Sequence, residues 1–160
     1  MEIQLRLAYE DAQVVRELFA EYTQMLYEGD PTIAQYLGQQ NYDEELRHLD
    51  KKYGLPRGRL YIAWVDGQAA GCVALRPMDG GAGELKRLYV RPRFRGHKLG
   101  RMLVEQILAD ARAESYSHLL LDTLDFLPHA IALYREVGFY DIARYNDSPM
   151  DGSVYMRYDF

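Results

Sequence analysis

The chain reads as an α/β domain with a mixed sheet, and three stretches carry that reading. Leu60–Val65 and Gln68–Arg76 are apolar runs joined by Asp66-Gly67, and Asp-Gly between two such runs is a strong hairpin signal. Glu84–Arg91 is a further strand pattern, bounded by Gly83 and Pro92, that passes through a short loop into a helix pattern from Leu99. There Leu99, Met102, Leu103, Val104, Ile107 and Leu108 recur at three- and four-residue spacing. His118–Thr123 is a near-continuous apolar run, the mark of an internal strand covered on both faces, and a helix follows it from Pro128.

In chain order, Ile3, Leu5 and Leu7 alternate with Gln4 and Arg6, which predicts a half-buried first strand. Glu10–Tyr27 carries one apolar stripe (Val14, Val15, Leu18, Phe19, Tyr22, Met25, Leu26), with Asp11 placed favourably in the first turn. Glu28-Gly-Asp-Pro31 breaks it. Tyr42–Tyr53 predicts a second helix with Leu46, Leu49 and Tyr53 inward, closed by Gly54-Leu-Pro-Arg-Gly58. Residues 32–59 are rich in tyrosine, and either pack on the domain surface or form a lid over a substrate. After the three strands, the long helix extends to about Ser115. Pro128–Val137 is a helix, with Pro128 near its start and Gly138 at its C′ position. Phe139–Arg144 and Ser153–Tyr158 are closing strands, and Tyr145–Gly152 has turn chemistry. The order is β-α-α-β-β-β-α-β-α-β-β.

The loop Arg93-Phe-Arg-Gly-His-Lys-Leu-Gly100 is the most informative stretch. A glycine-bearing loop that becomes a helix aims several backbone N–H groups at one spot, where the helix dipole adds partial positive charge. That is an anion site, and a pyrophosphate suits it. Seven of the 19 Lys and Arg, and none of the 24 Asp and Glu, lie between residues 86 and 101. A basic island in an acidic chain points to a specific anionic ligand rather than to general attraction to polyanions.

The strand, then Val90-x-Pro-x-x-Arg-Gly-x-x-Leu-Gly-Arg101, then an amphipathic helix resembles motif A of the GNAT N-acetyltransferase superfamily. Arg95, Lys98 and Gly100 stand at the places of its Arg/Gln-x-x-Gly-x-Gly/Ala pattern; Lys98 departs from it, since glycine is usual there. Ala130-Ile-Ala-Leu-Tyr-Arg-Glu-Val-Gly-Phe139 resembles the family's second signature. The resemblance spans residue 1 to about 158. It implies a GNAT-like sheet, mostly antiparallel, flanked by helices and splayed at the central strands, in one domain over residues 1–160.

It also implies a chemistry, acetyl transfer from acetyl-CoA to a primary amine by direct transfer in a ternary complex. Acetyl-CoA would lie along Leu88, Tyr89 and Val90, with its pyrophosphate on Arg95, Gly96, His97, Lys98, Leu99, Gly100 and Arg101. Tyr134 holds the place of the acid that protonates the departing thiolate; Ala130, Leu133, Tyr134 and Val137 also form a core stripe. Leu127 stands where many members carry Asn. An attacking amine must be neutral, so something must take its proton. Glu84 is one candidate base, and pairing with a nearby cation such as Arg87 is its other reading. Strand alternation puts Glu84, Lys86, Leu88 and Val90 on one face unless a bulge changes the parity. Asp122-Thr123, at the end of the internal strand, suit either substrate contact or helix capping. Cys72, in an apolar run, reads as a buried thiol rather than a nucleophile.

Composition narrows the rest. A chain of 160 residues, 48% hydrophobic and 27% charged, suits one globular domain with a proper core. The excess of acids argues against nucleic-acid binding. The four histidines, 48, 97, 118 and 129, lack metal-ligand spacing, so no metal is expected. No run reaches membrane-spanning length and no secretory pattern opens the sequence. With one cysteine, a cytoplasmic setting is expected. The acidic remainder favours a small cationic amine as acceptor. A CoA-binding sensor without turnover is the alternative, and a homodimer is a family-level expectation.

Overall fold

The computed structural model describes residues 1–160. The elements are β1 (Ile3–Leu7), α1 (Ala12–Gly29), α2 (Ile33–Gln39), α3 (Tyr42–Arg47), α4 (Leu49–Tyr53), β2 (Arg59–Val65), β3 (Gln68–Pro77), β4 (Ala82–Val90), α5 (Leu99–Ala113), β5 (His118–Leu124), α6 (Pro128–Val137), β6 (Tyr140–Ile142) and β7 (Ser153–Asp159). The strands form one sheet in the order β1-β2-β3-β4-β5-β7-β6. All pairs are antiparallel except β4 with β5. The splayed, mixed sheet expected from the sequence is the one observed. No helix is long and apolar enough to cross a membrane.

The two-residue period of the strands sorts side chains between two cores. Leu60, Ile62, Cys72 and Ala74 turn to one face, where Val15, Leu18 and Phe19 of α1 and Leu49 and Tyr53 of α4 cover them. Tyr61, Ala63, Val73 and Leu75 turn to the other, where Leu103, Val104, Ile107 and Ala111 of α5 meet Leu121, Tyr134 and Phe139. Residues 103, 107 and 111 are one turn apart and make a single stripe. The Asp66-Gly67 turn has both residues at positive φ, 48° and 79°, as a tight hairpin turn requires. Pro128 opens α6, and Gly138, at φ 117°, ends it.

Two expectations change. Residues 33–53 hold three short helices where the sequence predicts one helix over 42–53, because His48 leaves helical geometry at φ −136°, ψ 62°. The closing strand predicted over 139–144 shortens to Tyr140–Ile142.

The alternation of β4 also breaks. The β3–β4 ladder slips by one residue between Cys72 and Ala74, and Arg87 takes a left-handed φ of 61°. This β-bulge reverses the parity: Leu88 and Val90 join Leu85 in the core beneath α5, while Tyr89 joins the opposite core. Glu84 and Lys86 therefore do not share a face with Leu88 and Val90. Arg87, now turned to the side of the short helices, donates Nε to Glu45 Oε2 at 2.9 Å, and one Nη to Glu45 Oε1 and Gln40 Oε1, both at 2.8 Å. Lys52 Nζ completes the cluster at 2.6 Å from Glu45 Oε1.

Burial raises the proton affinity of Glu45, but the bonds and charges of Arg87 and Lys52 outweigh it and hold the carboxyl at about 2. Its contribution to stability is then complete above the ordinary carboxylate value of 4.5 and is lost as pH falls toward 2. Replacing Glu45 by Gln strands a buried guanidinium. Urea unfolding at neutral pH should show a loss of about 3 kcal/mol, and the variant's stability should fall less than the wild type's below pH 4.5. An unchanged midpoint would show that the pair does not hold the bulge.

Candidate functional site

The parallel pairing of β4 and β5 covers only Ala82–Glu84 against His118–Leu120. Beyond it the strands diverge, and one edge of β4 runs unpaired to Val90. A narrow slot of about 50 Å³ opens there, between Leu85–Leu88 of β4 and Asp122–Leu124 of β5, with α1, α2 and α6 closing its sides. A water-sized site takes roughly 10–15 Å³ on the same measure, so the slot suits a small group rather than a large ligand.

At the far end of β4 the chain enters the glycine loop. The Arg95 N–H returns to the Pro92 carbonyl at 3.2 Å and that of Met102 to Lys98 at 3.1 Å; the backbone N–H groups of residues 96–101 between them bond no carbonyl of the chain. Gly96, at φ 89°, and Lys98, at φ 61°, ψ 23°, are both left-handed. These two reversals hold consecutive N–H groups on one concave side at the start of α5. Backbone N–H groups gathered in this way form a nest suited to an anion. Glycine is the residue that accepts this geometry without steric cost, and Lys98 adopts it with a side chain. Gly100 packs closely, since a Cβ there would stand 3.3 Å from Leu133 of α6.

The basic island divides. Arg91 is bound to Glu21, at 2.8 Å, and to the Ala69 carbonyl, at 3.0 Å. Arg101 pairs with Glu105 and Glu136. Lys86 and Arg87 are buried in β4. Arg93, Arg95, His97 and Lys98 remain exposed around the nest. Arg95 leans back, donating Nε to the Val90 carbonyl at 3.1 Å, and so ties the loop to the strand.

Tyr134 lies in the slot with Leu85, Leu88 and Ala130, its ring edge-on to Phe139 at 5.7 Å. Burial pushes its hydroxyl well above the usual phenol range, and the charges of Tyr22 and Asp122 add to that. The group therefore keeps its proton at any working pH. The sequence-predicted Tyr134 and Leu88 meet here; Tyr89 takes its side chain elsewhere, its hydroxyl bonding Glu21 at 3.3 Å.

Glu84 does not line the slot. It is 2% exposed and accepts from Arg76 Nε at 2.7 Å and from the Tyr145 hydroxyl at 2.6 Å. Burial would raise its pKa, but Lys86, Arg76 and the Tyr145 bond together bring it down to about 2. Arg76 and Lys86, not Arg87, are its partners. A carboxylate so held accepts a proton only weakly. Its neighbour Lys86, which the sequence reading passed over, is the residue that reaches the slot. Across from it, Asp122 accepts on Oδ2 from the Tyr36 hydroxyl and from Asn146 Nδ2, the latter at 3.1 Å. The Tyr155 hydroxyl holds Asn146 Oδ1 at 2.9 Å. The slot thus draws on α2 and on the 145–152 loop. Tyr36 and Asp122 were visible in the sequence as an aromatic in the tyrosine-rich stretch and a carboxylate at the end of an internal strand. Nothing local marked Lys86.

A pair of parallel strands that part, followed by a loop of unpaired N–H groups at the start of the next helix, is the frame on which comparison with known proteins bears. The sequence model of the acetyltransferase (GNAT) family matches residues 14–139. A protein of Schizosaccharomyces pombe described as an uncharacterized N-acetyltransferase is 46% identical over 120 residues, 74% of each chain. Among solved structures, a GNAT-family acetyltransferase of Staphylococcus aureus superposes with a TM-score of 0.77 over 99% of both chains, at 16% identity. The PaiA N-acetyltransferase of Thermoplasma acidophilum, solved in complex with coenzyme A, superposes with a TM-score of 0.74 over both full chains, at 18% identity. At these identities the two structures speak for the fold alone. The chain belongs to the GNAT acetyltransferase family and so to the acyltransferases.

The left-handed Lys98 gives a direct test of the nest. Lys98→Gly removes the side-chain clash and should raise the unfolding free energy by about 0.5–1 kcal/mol, read from urea or thermal melts. A less stable variant would mean that the lysine side chain, not the backbone reversal, orders the loop.

Proposed function

We propose that this chain is an acetyl-CoA-dependent N-acetyltransferase that passes an acetyl group directly to a primary amine in a ternary complex. One observation carries the proposal: the N–H groups of residues 96–101, which bond no carbonyl of the chain, follow directly on the edge of β4 left unpaired after Glu84, and Tyr134 lines the slot where β4 and β5 part. Acetyl-CoA supplies an acetyl thioester, activated toward amines. Residues 96–101, with Arg95 and Lys98, would hold its diphosphate, and the free edge of β4 at Leu88–Val90 would hold the pantetheine arm as an added strand does. Backbone N–H groups on that edge are suited to stabilise charge on the thioester oxygen.

The acceptor enters from the side of α1, α2 and the 145–152 loop. Its neutral nitrogen attacks the acetyl carbon; the N–C bond forms and the C–S bond breaks. The amine proton leaves to solvent through the polar network of Asp122, Tyr36 and Asn146, with Glu84 as a weak acceptor behind it. The sulfur takes its proton from Tyr134. Burial raises the proton affinity of a thiolate as it does that of a phenolate, so the transfer stays matched inside the slot. Holding both partners side by side supplies much of the rate. The reading is of a soluble, cytoplasmic enzyme that acts on a small molecule and is able to pair as a homodimer.

Thiol release from acetyl-CoA with pooled amines tests the activity. Turnover supports the proposal; acetyl-CoA binding with no release from any amine would favour a sensor instead. With an accepted amine in hand, Tyr134→Phe should lower kcat by about 10²–10⁴ while acetyl-CoA affinity stays within about threefold. Unchanged kcat would show that another group protonates the sulfur.

A further inference from the structure

The slot is lined by two cations, Lys86 and Arg87, and one anion, Asp122. Arg76 is hydrogen-bonded to Glu84, and Arg87 and Lys52 to Glu45. Lys86 shares Glu84 with Arg76: its Nζ stands 3.4 Å from Glu84 Oε1, the oxygen that Arg76 also engages, and forms no hydrogen bond there. Yet Lys86 is 8% exposed and faces the slot. A buried ammonium has three donors to satisfy, and leaving them bare is costly. Across the slot, Asp122 uses only Oδ2 for its bonds to Tyr36 and Asn146, so Oδ1 is free. One wall thus offers a cation that must share its carboxylate with Arg76, and the facing wall an open carboxylate oxygen.

We infer that the acceptor is a small amino acid, whose carboxylate pairs with Lys86 while its amino group lies toward Asp122. This rests on the acetyltransfer reading above and adds the substrate class. A zwitterion matches the slot in charge, and an uncharged end at the position of Lys86 would leave the ammonium desolvated and bare. The acidic composition of the chain favours a purely cationic amine; the local charge reverses that, since the slot lining holds two cations and one anion. Burial, with Arg87 next, depresses the pKa of Lys86 to about 8 against the pull of Glu84 and Asp122. The narrow slot limits the skeleton to a few heavy atoms beyond the amine.

The test compares small L-amino acids with their carboxamides, which keep size and amine but lose the charge, using thiol release from acetyl-CoA at fixed pH. The wild-type enzyme should prefer the acids by about tenfold or more in kcat/KM. Lys86→Met should abolish that preference, chiefly by raising KM for the acids. Lys86→Arg should retain much of it. Equal rates with acids and amides in the wild type would overturn the inference while leaving the acetyltransferase reading intact, and that comparison stands even if the Met variant fails to fold. Loss of transfer to both classes in Lys86→Arg, with acetyl-CoA still bound, would overturn it too, marking Lys86 as a proton acceptor. Release with no amine of either kind would remove the activity itself, and the inference with it.

Discussion

The site depends on the parting of β4 from β5. Three paired residues hold the strands together, and after Glu84 they separate. The bulge at Arg87 accompanies that separation by adding a residue to β4 and twisting it away. An arginine at a left-handed φ is uncomfortable on its own. The buried carboxylate of Glu45, with Gln40 beside it, fixes the guanidinium and so fixes the bulge. From one backbone irregularity come a free strand edge, a slot, and a loop set to start a helix with its N–H groups bare.

The bulge also decides which side chains reach the slot. Without it, Lys86 and Leu88 would share a face. With it, Leu88 packs beneath α5 and helps form an apolar floor with Tyr134, while Lys86 and Arg87 stand together on the wall nearer α3 and α4. The same slip therefore places Lys86 and Arg87 together on the slot wall while Leu88 and Val90 turn beneath α5, and a change at Glu45 or Arg87 would be felt on both faces.

The parts legible in the sequence were those written in neighbouring residues. Gly96 and Gly100 in a basic loop between a strand and a helix announced the nest, Asp66-Gly67 the hairpin, and Pro128 with Gly138 the limits of α6. Tyr134 was legible through its local signature. The ion pairs were not. Arg87 and Glu45 are 42 residues apart, and Tyr145 and Glu84 are 61 apart, so no local pattern joins them. Glu84 looked free to act as a base because the sequence could not show Arg76 across the hairpin. Three of the seven clustered cations, Arg87, Arg91 and Arg101, turned out to be hydrogen-bonded to acids of the fold, because a count along the chain does not distinguish a paired cation from a free one. The short helices were misjudged for a related reason: the apolar spacing of Leu46, Leu49 and Tyr53 suits one helix, and nothing in that spacing marks the break at His48.

The central claim is that residues 96–101 present a ready-made cradle for a diphosphate, so the carrier should bind without any acceptor present. Isothermal titration calorimetry of the folded protein with acetyl-CoA, and separately with free CoA, measures this directly. The account predicts saturable one-to-one binding of both, weakened as salt rises because the contact is with phosphate. Absence of binding to either, on a sample whose circular dichroism shows the native fold, would contradict it.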